Sequence, residues 1–183
     1  MSEKSDATKQ KPYQKRVIGW REWVGLPELG VSHIKAKADT GAKTSALHAF
    51  DLKPFRRRGE DWVRFNIHPA QRDETLSVPC EARVVDLRLV MTSGGHREKR
   101  YVIETKLQAG GEDWPIELTL TNRDQMGFRM LVGRSAMHRR LVVDPSKSFL
   151  LERQTRKPAK TNAGKASGRG LSRARRAGGD EEE

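Results

Sequence analysis

Ser32-His33-Ile34-Lys35-Ala36-Lys37-Ala38-Asp39 decides the fold: its apolar residues fall on 34, 36 and 38, and the run ends in Asp39-Thr40-Gly41-Ala42. Apolar residues at every second position mark a strand with one face on a core. The same alternation recurs outward from this stretch. Val63, Phe65 and Ile67 share one face of a short run, Ile116, Leu118 and Leu120 share another, and Val85, Leu87, Leu89 and Met91 line a longer one. All four runs are expected to be half-buried strands. Turn signals separate them at Arg58-Gly59-Glu60-Asp61, Ser93-Gly94-Gly95-His96 and Gly110-Gly111-Glu112-Asp113. Two of these turns precede a tryptophan (Trp62, Trp114), a hint of a duplicated hairpin too short to count as a repeat. Many short strands and hairpin turns predict an all-β fold, a small closed or nearly closed barrel. A single short helix is expected near 134–140, after Met130-Leu131-Val132-Gly133.

Composition narrows the class of protein. The chain has 183 residues, with 36 Lys+Arg against 24 Asp+Glu, a formal net charge of +12. That length allows one domain with tails. No apolar run approaches the roughly 20 residues that cross a bilayer, and the N-terminus lacks the apolar stretch of a secretory signal. A soluble, cytoplasmic protein with no membrane partner is the expectation. One cysteine, Cys80, excludes an internal disulfide framework and a multi-cysteine zinc site.

The charge is divided. Residues 1–16 carry net +3, residues 152–183 net +4 and residues 17–151 net +5. We expect a folded domain over 17–151, a disordered basic arm over 1–16, and a disordered basic tail over 152–183 ending in an acidic cluster, Asp180 to Glu183. The tail holds one large apolar residue, Leu171, and no aromatic residue for base stacking. It reads either as a solubilising extension or as a weak contact to nucleic acid or the ribosome.

Asp39-Thr40-Gly41 alone reads first as an ordinary turn, the aspartate accepting backbone N–H bonds and the glycine taking positive φ. A second element changes that reading. Gly133 lies 94 residues after Asp39, inside Arg129-Met130-Leu131-Val132-Gly133-Arg134, an apolar run ending in Gly-Arg. This pair resembles the retropepsins. Through Lys37 to Ala49, Glu117 to Arg123 and Met130 to Arg134, the chain more closely resembles the bacterial retropepsin-like aspartic endopeptidases often labelled "ATP-dependent zinc protease". The resemblance covers about residues 17–151.

The resemblance implies an aspartic peptidase with Asp39, Thr40 and Gly41 as the catalytic triplet and Ala42 beside the substrate. Peptide hydrolysis needs a water deprotonated as it attacks and a carbonyl oxygen given a proton. Two neighbouring carboxylates that share one proton supply both. The chain has a single Asp-Thr-Gly, so a two-fold homodimer is implied, each copy giving one aspartate. Thr40 would tie the two loops together, and Gly133 and Arg134 would support the site, Arg134 through an ion pair. A flap closing on an extended peptide would come from Thr92 to His96, with Ser93, Gly94 and Gly95 as binding residues, or else from Arg57 to Glu60.

Two departures stand out. Lys43 occupies a position that is acidic in the retroviral enzymes, and the Asp39–Gly133 spacing is longer by about one hairpin. The family label is not matched by ligands either. The five histidines, at 33, 48, 68, 96 and 138, form no metal motif, and no phosphate-binding Gly-x-x-x-x-Gly-Lys-Ser/Thr is present. No metal and no cofactor is assigned. His48 is the one histidine near Asp39 in sequence and is expected to pack locally. Lys35, Lys37, Lys43, Arg56, Arg57, Arg58, Arg97, Lys99 and Arg100 surround the motif in sequence with positive charge, which favours an acidic or glutamate-rich substrate. Two other readings stay open: a non-enzymatic basic β-barrel that binds RNA or ribosomal protein, and a metal-dependent peptidase.

Overall fold

The computed structural model describes residues 15–71, 75–91, 94–122 and 127–151. The strands are β1 (Arg16–Gly19), β2 (Arg21–Leu26), β3 (Val31–Ala38), β4 (Ser45–His48), β5 (Phe50–Arg57), β6 (Glu60–Ile67), β7 (Val78–Met91), β8 (Arg97–Ala109), β9 (Glu112–Thr121), β10 (Met130–Val132) and β11 (Leu141–Asp144). One short helix, α1, spans Arg134–Met137. It is a single turn, shorter than the expected 134–140, because His138 leaves the helical region (φ −53°, ψ 128°) and Arg139 takes a positive φ of 61°. The expected arm before residue 15 and the tail from 152 onward lie outside the described residues.

Nine strands form one sheet in the order β2-β3-β10-β4-β9-β8-β7-β6-β5, and β2 also pairs with β8. Six strands therefore form a ring, closed where Gly25 meets Gln108. Gly25 fits this closure because a Cβ there would lie 3.0 Å from both Gln108 Oε1 and the Ser32 carbonyl oxygen. β2 changes register between Val24 and Leu26, a bulge of the kind that turns a sheet corner. The all-β, retropepsin-type expectation holds, with the closed part a ring and β5, β6 and β7 extending beyond it.

The core fills the ring from alternating positions. Ile34, Val63, Phe65, Ile67, Ile103, Leu107 and Leu118 are fully buried, and Ile116 and Leu120 nearly so. Three of the four alternating runs thus lie where period two put them. The fourth does not: Leu87, Leu89 and Met91 are 51%, 52% and 62% exposed. The reason is topological. β6 pairs with β7 only from Val78 to Arg83, so the far half of β7 pairs with β8 alone and projects beyond the ring.

The hairpin turns are built as their sequences require. Arg58 and Gly59 at one turn, and Gly110 and Gly111 at another, all take positive φ, the two-residue geometry that matches strand twist. The first and last described segments are tied by Glu22, which is buried yet fully used. Its Oε1 accepts from the Gly19 and Leu150 N–H groups at 2.7 Å each, and Oε2 accepts from Leu151 N–H at 3.2 Å. This carboxylate holds β1 and residues 150–151 against the ring, where β1 and β11 form a separate parallel pair.

Two measurements check this packing. Glu22→Ala leaves three backbone donors without their acceptor and should cost roughly 3 kcal/mol in denaturant unfolding. Cys80 is buried, which pushes its thiol up to about 11 from 9.0. The folded state therefore holds this proton more tightly. The contribution to stability is fully present below the unfolded value near 9.0 and is lost as pH rises toward about 11. Cys80→Ala should flatten the fall in stability over that window.

Candidate active site

β3 ends at Ala38, and Asp39 follows where the chain leaves the sheet. The far element arrives beside it: β10 runs between β3 and β4, parallel to the first and antiparallel to the second. Met130 pairs with both Ala36 and Leu47, so the two halves of the loop that follows Asp39 are fixed to one strand. The Asp39 N–H donates to the Val132 carbonyl at 2.9 Å, extending that pairing to the aspartate itself.

The carboxylate is oriented by its own loop. Asp39 Oδ1 accepts from the Gly41 N–H at 3.0 Å and the Ala42 N–H at 3.1 Å. Among the described residues its Oδ2 has no hydrogen-bond partner. One oxygen is thus used to hold the group. Gly41 does not take the positive φ of an ordinary glycine turn. Its use is space: a Cβ there would stand 3.2 Å from Asp39 Oδ1. Asp39 is half-buried, whereas Thr40 and Gly41 are exposed on the single chain.

Gly133 and Arg134 support this loop in different ways. A Cβ on Gly133 would lie 2.6 Å from the Thr44 carbonyl carbon, so only glycine allows β10 to pass. Its N–H donates to Ser45 Oγ at 3.1 Å. The Arg134 and Ser135 N–H groups, at the start of α1, donate to the Ala42 and Lys43 carbonyls at 2.9 and 3.0 Å. The Arg134 guanidinium donates through Nη1 to the Thr40 and Gly41 carbonyls, both at 2.8 Å. The expected ion pair is replaced by these bonds: among the described residues no carboxylate pairs with Arg134, and Lys43 stands where an acidic partner would be. Asp39, Thr40, Gly41, Ala42, Gly133 and Arg134 therefore form one connected cluster.

Sequence reasoning passed over Arg88. Its Nη1 donates to Thr44 Oγ1 at 3.1 Å and to Glu117 Oε2 at 2.8 Å, and its Nε donates to Asp86 at 2.9 Å. It fastens the β7–β8 hairpin to the loop that carries Asp39. The Glu117 carboxylate beside it, aided by Asp86, raises its already high pKa. No signal in a single sequence separates this arginine from its neighbours. Of the first-choice flap, Gly94 and Gly95 stand exposed at the tip of that hairpin, while Thr92 and Ser93 lie outside the described residues. The second-choice flap, Arg57 to Glu60, caps the β5–β6 hairpin at the end of the sheet.

His48 is buried and packs against Phe50 and His68, ring centroids 6.3 and 6.5 Å away. Among the described residues no three of His, Cys, Asp and Glu converge as metal ligands. Nor is any helix among them long and apolar enough to cross a membrane.

Residues 17–154 match the RimB-like family, described as retropepsin-like aspartic endopeptidase RimB. The chain belongs to this family. A protein from Shewanella pealeana named a probable alpha-L-glutamate ligase is 53% identical over 137 residues, 75% of this chain and 30% of its own length. One of the same name from Desulfotalea psychrophila is 50% identical over 132 residues, covering 72% and 28%. The chain thus spans about a third of these curated relatives. A crystal structure of a protein of unknown function from Legionella pneumophila subsp. pneumophila str. Philadelphia 1 is also similar. It shows a TM-score of 0.62 and 26% identity, covering 76% of this chain and all of that one.

Gly133→Ala tests the cradle directly. The methyl must displace the Thr44 backbone, which should cost about 1–3 kcal/mol in chemical unfolding. Arg134→Lys keeps the charge on a shorter side chain that does not extend as far as Nη1, so it should loosen the loop with little change in the core. Faster amide exchange at Gly41 and Ala42 alone would report that.

Proposed function

We propose that the chain is an aspartic-type endopeptidase whose Asp39 works with Asp39 of a second copy. The observation that carries the reading is the state of the Asp39 carboxylate: Oδ1 is held by two backbone N–H groups and Oδ2 has no hydrogen-bond partner among the described residues. One carboxylate held in this way is half of a proton-sharing pair. The Thr40-Gly41 backbone is exposed, as a surface that meets its own copy would be. In the dimer one aspartate takes a proton from water as it attacks the scissile carbonyl carbon, and the other gives a proton to the carbonyl oxygen. Collapse of the tetrahedral intermediate breaks the C–N bond, with the proton passing to the leaving amine. Gly41, without a side chain, leaves room for the substrate backbone, and the β7–β8 hairpin supplies a flap.

The substrate we infer is an acidic, glutamate-rich protein segment. Lys37 and Lys43 are exposed on either side of Asp39. Relatives that carry this domain bear the name of a ligase acting on glutamate, so a peptidase domain there would act on the same class of chain. The dimer, the dyad and a cytoplasmic setting belong to this proposal, as does a weak tail contact to nucleic acid or the ribosome.

Asp39→Asn keeps the shape and removes the proton-transfer group. Hydrolysis of a poly-glutamate peptide should fall by about a thousandfold or more, with indifference to chelator in the wild type. Cleavage that survives in Asp39→Asn overturns the aspartic mechanism. Loss on chelation would favour a metal-dependent peptidase instead, and salt-dependent RNA binding without any hydrolysis would favour a basic binding module. Equal cleavage of neutral and acidic peptides at low salt removes the charge argument.

A further inference from the structure

Two faces of the molecule set cations over aromatic rings, and they differ in one respect. On the β5–β6 hairpin Arg57 lies over Phe55 and Trp62, and Arg64 over Phe55; both guanidinium groups are closed by the Glu81 carboxylate. On the outer face of β2 and β3 the same construction has no carboxylate. Arg21 lies over the rings of Trp20 and Phe149, 4.6 and 5.1 Å from their centroids. Lys35 lies over Trp23 and Phe149 at 5.3 and 5.8 Å. Among the described residues Arg21, Lys35 and Lys37 make no ion pair, and Arg21 spends only Nε, on Ser148 Oγ at 3.2 Å. A ring attracts a cation without neutralising it. The row therefore keeps its positive charge.

This row is built in place. Across the β2–β3 pair Lys37 stands opposite Arg21 and Lys35 opposite Trp23, so the three cations share one face, while Glu22, Ala36 and Ile34 turn to the core. Phe149 is held over the row from outside the sheet. Its N–H donates to the Arg21 carbonyl at 2.9 Å, and its φ of 58° is one that a bulky residue keeps only where its surroundings hold it. Packed on rings, Arg21 and Lys35 have given up side-chain freedom before any ligand arrives.

The spacing supplies the occupant. Lys35 and Lys37 are alternate residues of one strand, roughly 7 Å apart, and an extended chain laid along them repeats at the same interval. Alternate carboxylates of an extended acidic segment meet the two lysines in step, with Arg21 beside the second. The row ends at Lys37, two residues before Asp39. A nucleic-acid strand fits less well, because its bases need open ring faces. Here Trp20, Trp23 and Phe149 are each already faced by a cation and by another ring. None of these residues belongs to the β7–β8 hairpin or to the Thr40-Gly41 backbone offered to a second copy.

We propose that the outer face of β2 and β3 is a docking track for an extended glutamate-rich chain, held by Arg21, Lys35 and Lys37 as it runs toward Asp39. The proposal rests on the peptidase reading for its substrate and adds to it a second site, set back from the bond that is cut.

The test measures binding apart from hydrolysis. A fluorescein-labelled peptide of about ten glutamates, long enough at about 3.3 Å per residue to span the row, is titrated at low salt against the full chain carrying Asp39→Asn. Anisotropy then gives the dissociation constant. Lys35→Gln and Lys37→Gln should each weaken binding by about two- to fivefold, and the pair together by more. Lys53→Gln removes the same charge from an exposed position on β5 and should leave binding unchanged. Equal weakening by Lys53→Gln makes the attraction a matter of net charge and overturns the track, as does binding indifferent to Lys35→Gln. An oligothymidylate of the same length that binds more tightly than the peptide, and responds to the same substitutions, overturns it in favour of nucleic acid. Track and peptidase fail separately. Binding that depends on Lys35, with no cleavage by the unsubstituted chain, keeps the track and removes the peptidase; cleavage with binding indifferent to Lys35→Gln does the reverse.

Discussion

Everything in the molecule is arranged around the passage of one three-residue strand through a space that has no room for a side chain. β10 lies between β3 and β4, and Gly133 brings its backbone to within van der Waals contact of Thr44. Because β10 touches both sides, it fixes the start and the end of the Asp39 loop with one element. The Asp39 N–H is held from the β10 side, and the Asp39 carboxylate is held from inside the loop. Arg134, the residue after the glycine, then reaches back to the two carbonyls nearest the aspartate. Local backbone geometry, long-range pairing and side-chain direction all agree, which is the condition for a site held without adjustment.

The ring around this cradle is closed by little. Beside the single Gly25–Gln108 pair, the Lys106 N–H of β8 donates to Glu28 Oε2, just after β2, at 3.1 Å. The main work of closure falls on the core, whose fully buried Leu107 and Ile34 lie on the same side of the sheet as Leu118. The β7–β8 hairpin stands outside this enclosure, and its inner face meets the Asp39 loop through Arg88. That arginine divides its donors among Thr44, Glu117 and Asp86, so the position of the hairpin and the position of the loop are mechanically linked.

Much of the ring was legible because its strands obey one rule. A strand with one face on the core and one toward water alternates, and Val63, Phe65 and Ile67 or Ile116, Leu118 and Leu120 show it without interference. The rule failed at Leu87, Leu89 and Met91 because alternation reports that two faces differ, not that anything covers the apolar one. Only the end of β6 at Arg83 reveals the missing neighbour, and that is a property of topology. The Asp39–Gly133 pairing was legible through resemblance, since 94 residues separate the elements and no local pattern joins them. Arg134 bonds the Asp39 loop, but through backbone carbonyls and not through the expected ion pair. The substitution of Lys43 removed the carboxylate, and backbone carbonyls, which every sequence has, took its place.

The excess of basic residues divides by chemistry in a way that the sum conceals. Arginines are used as construction: Arg134 on loop carbonyls, Arg88 on Thr44 and Glu117, Arg57 and Arg64 both on Glu81. Their planar fork holds fixed acceptors, and Glu81 responds with a lowered pKa from the hydrogen bonds of Arg64 and then Arg57. The lysines nearest Asp39 are different. Lys35 lies over the rings of Trp23 and Phe149, but Lys37 and Lys43 are exposed and make no ion pair among the described residues. A hydrated ammonium on a flexible stem is a poor clamp and a good long-range attractor. On the proposed function, attraction of an acidic chain to this site would rest on these two lysines rather than on the net charge. That attraction would be the first property lost as salt rises, while the Arg134 bonds to backbone carbonyls, short-range and not ion pairs, would hold the loop.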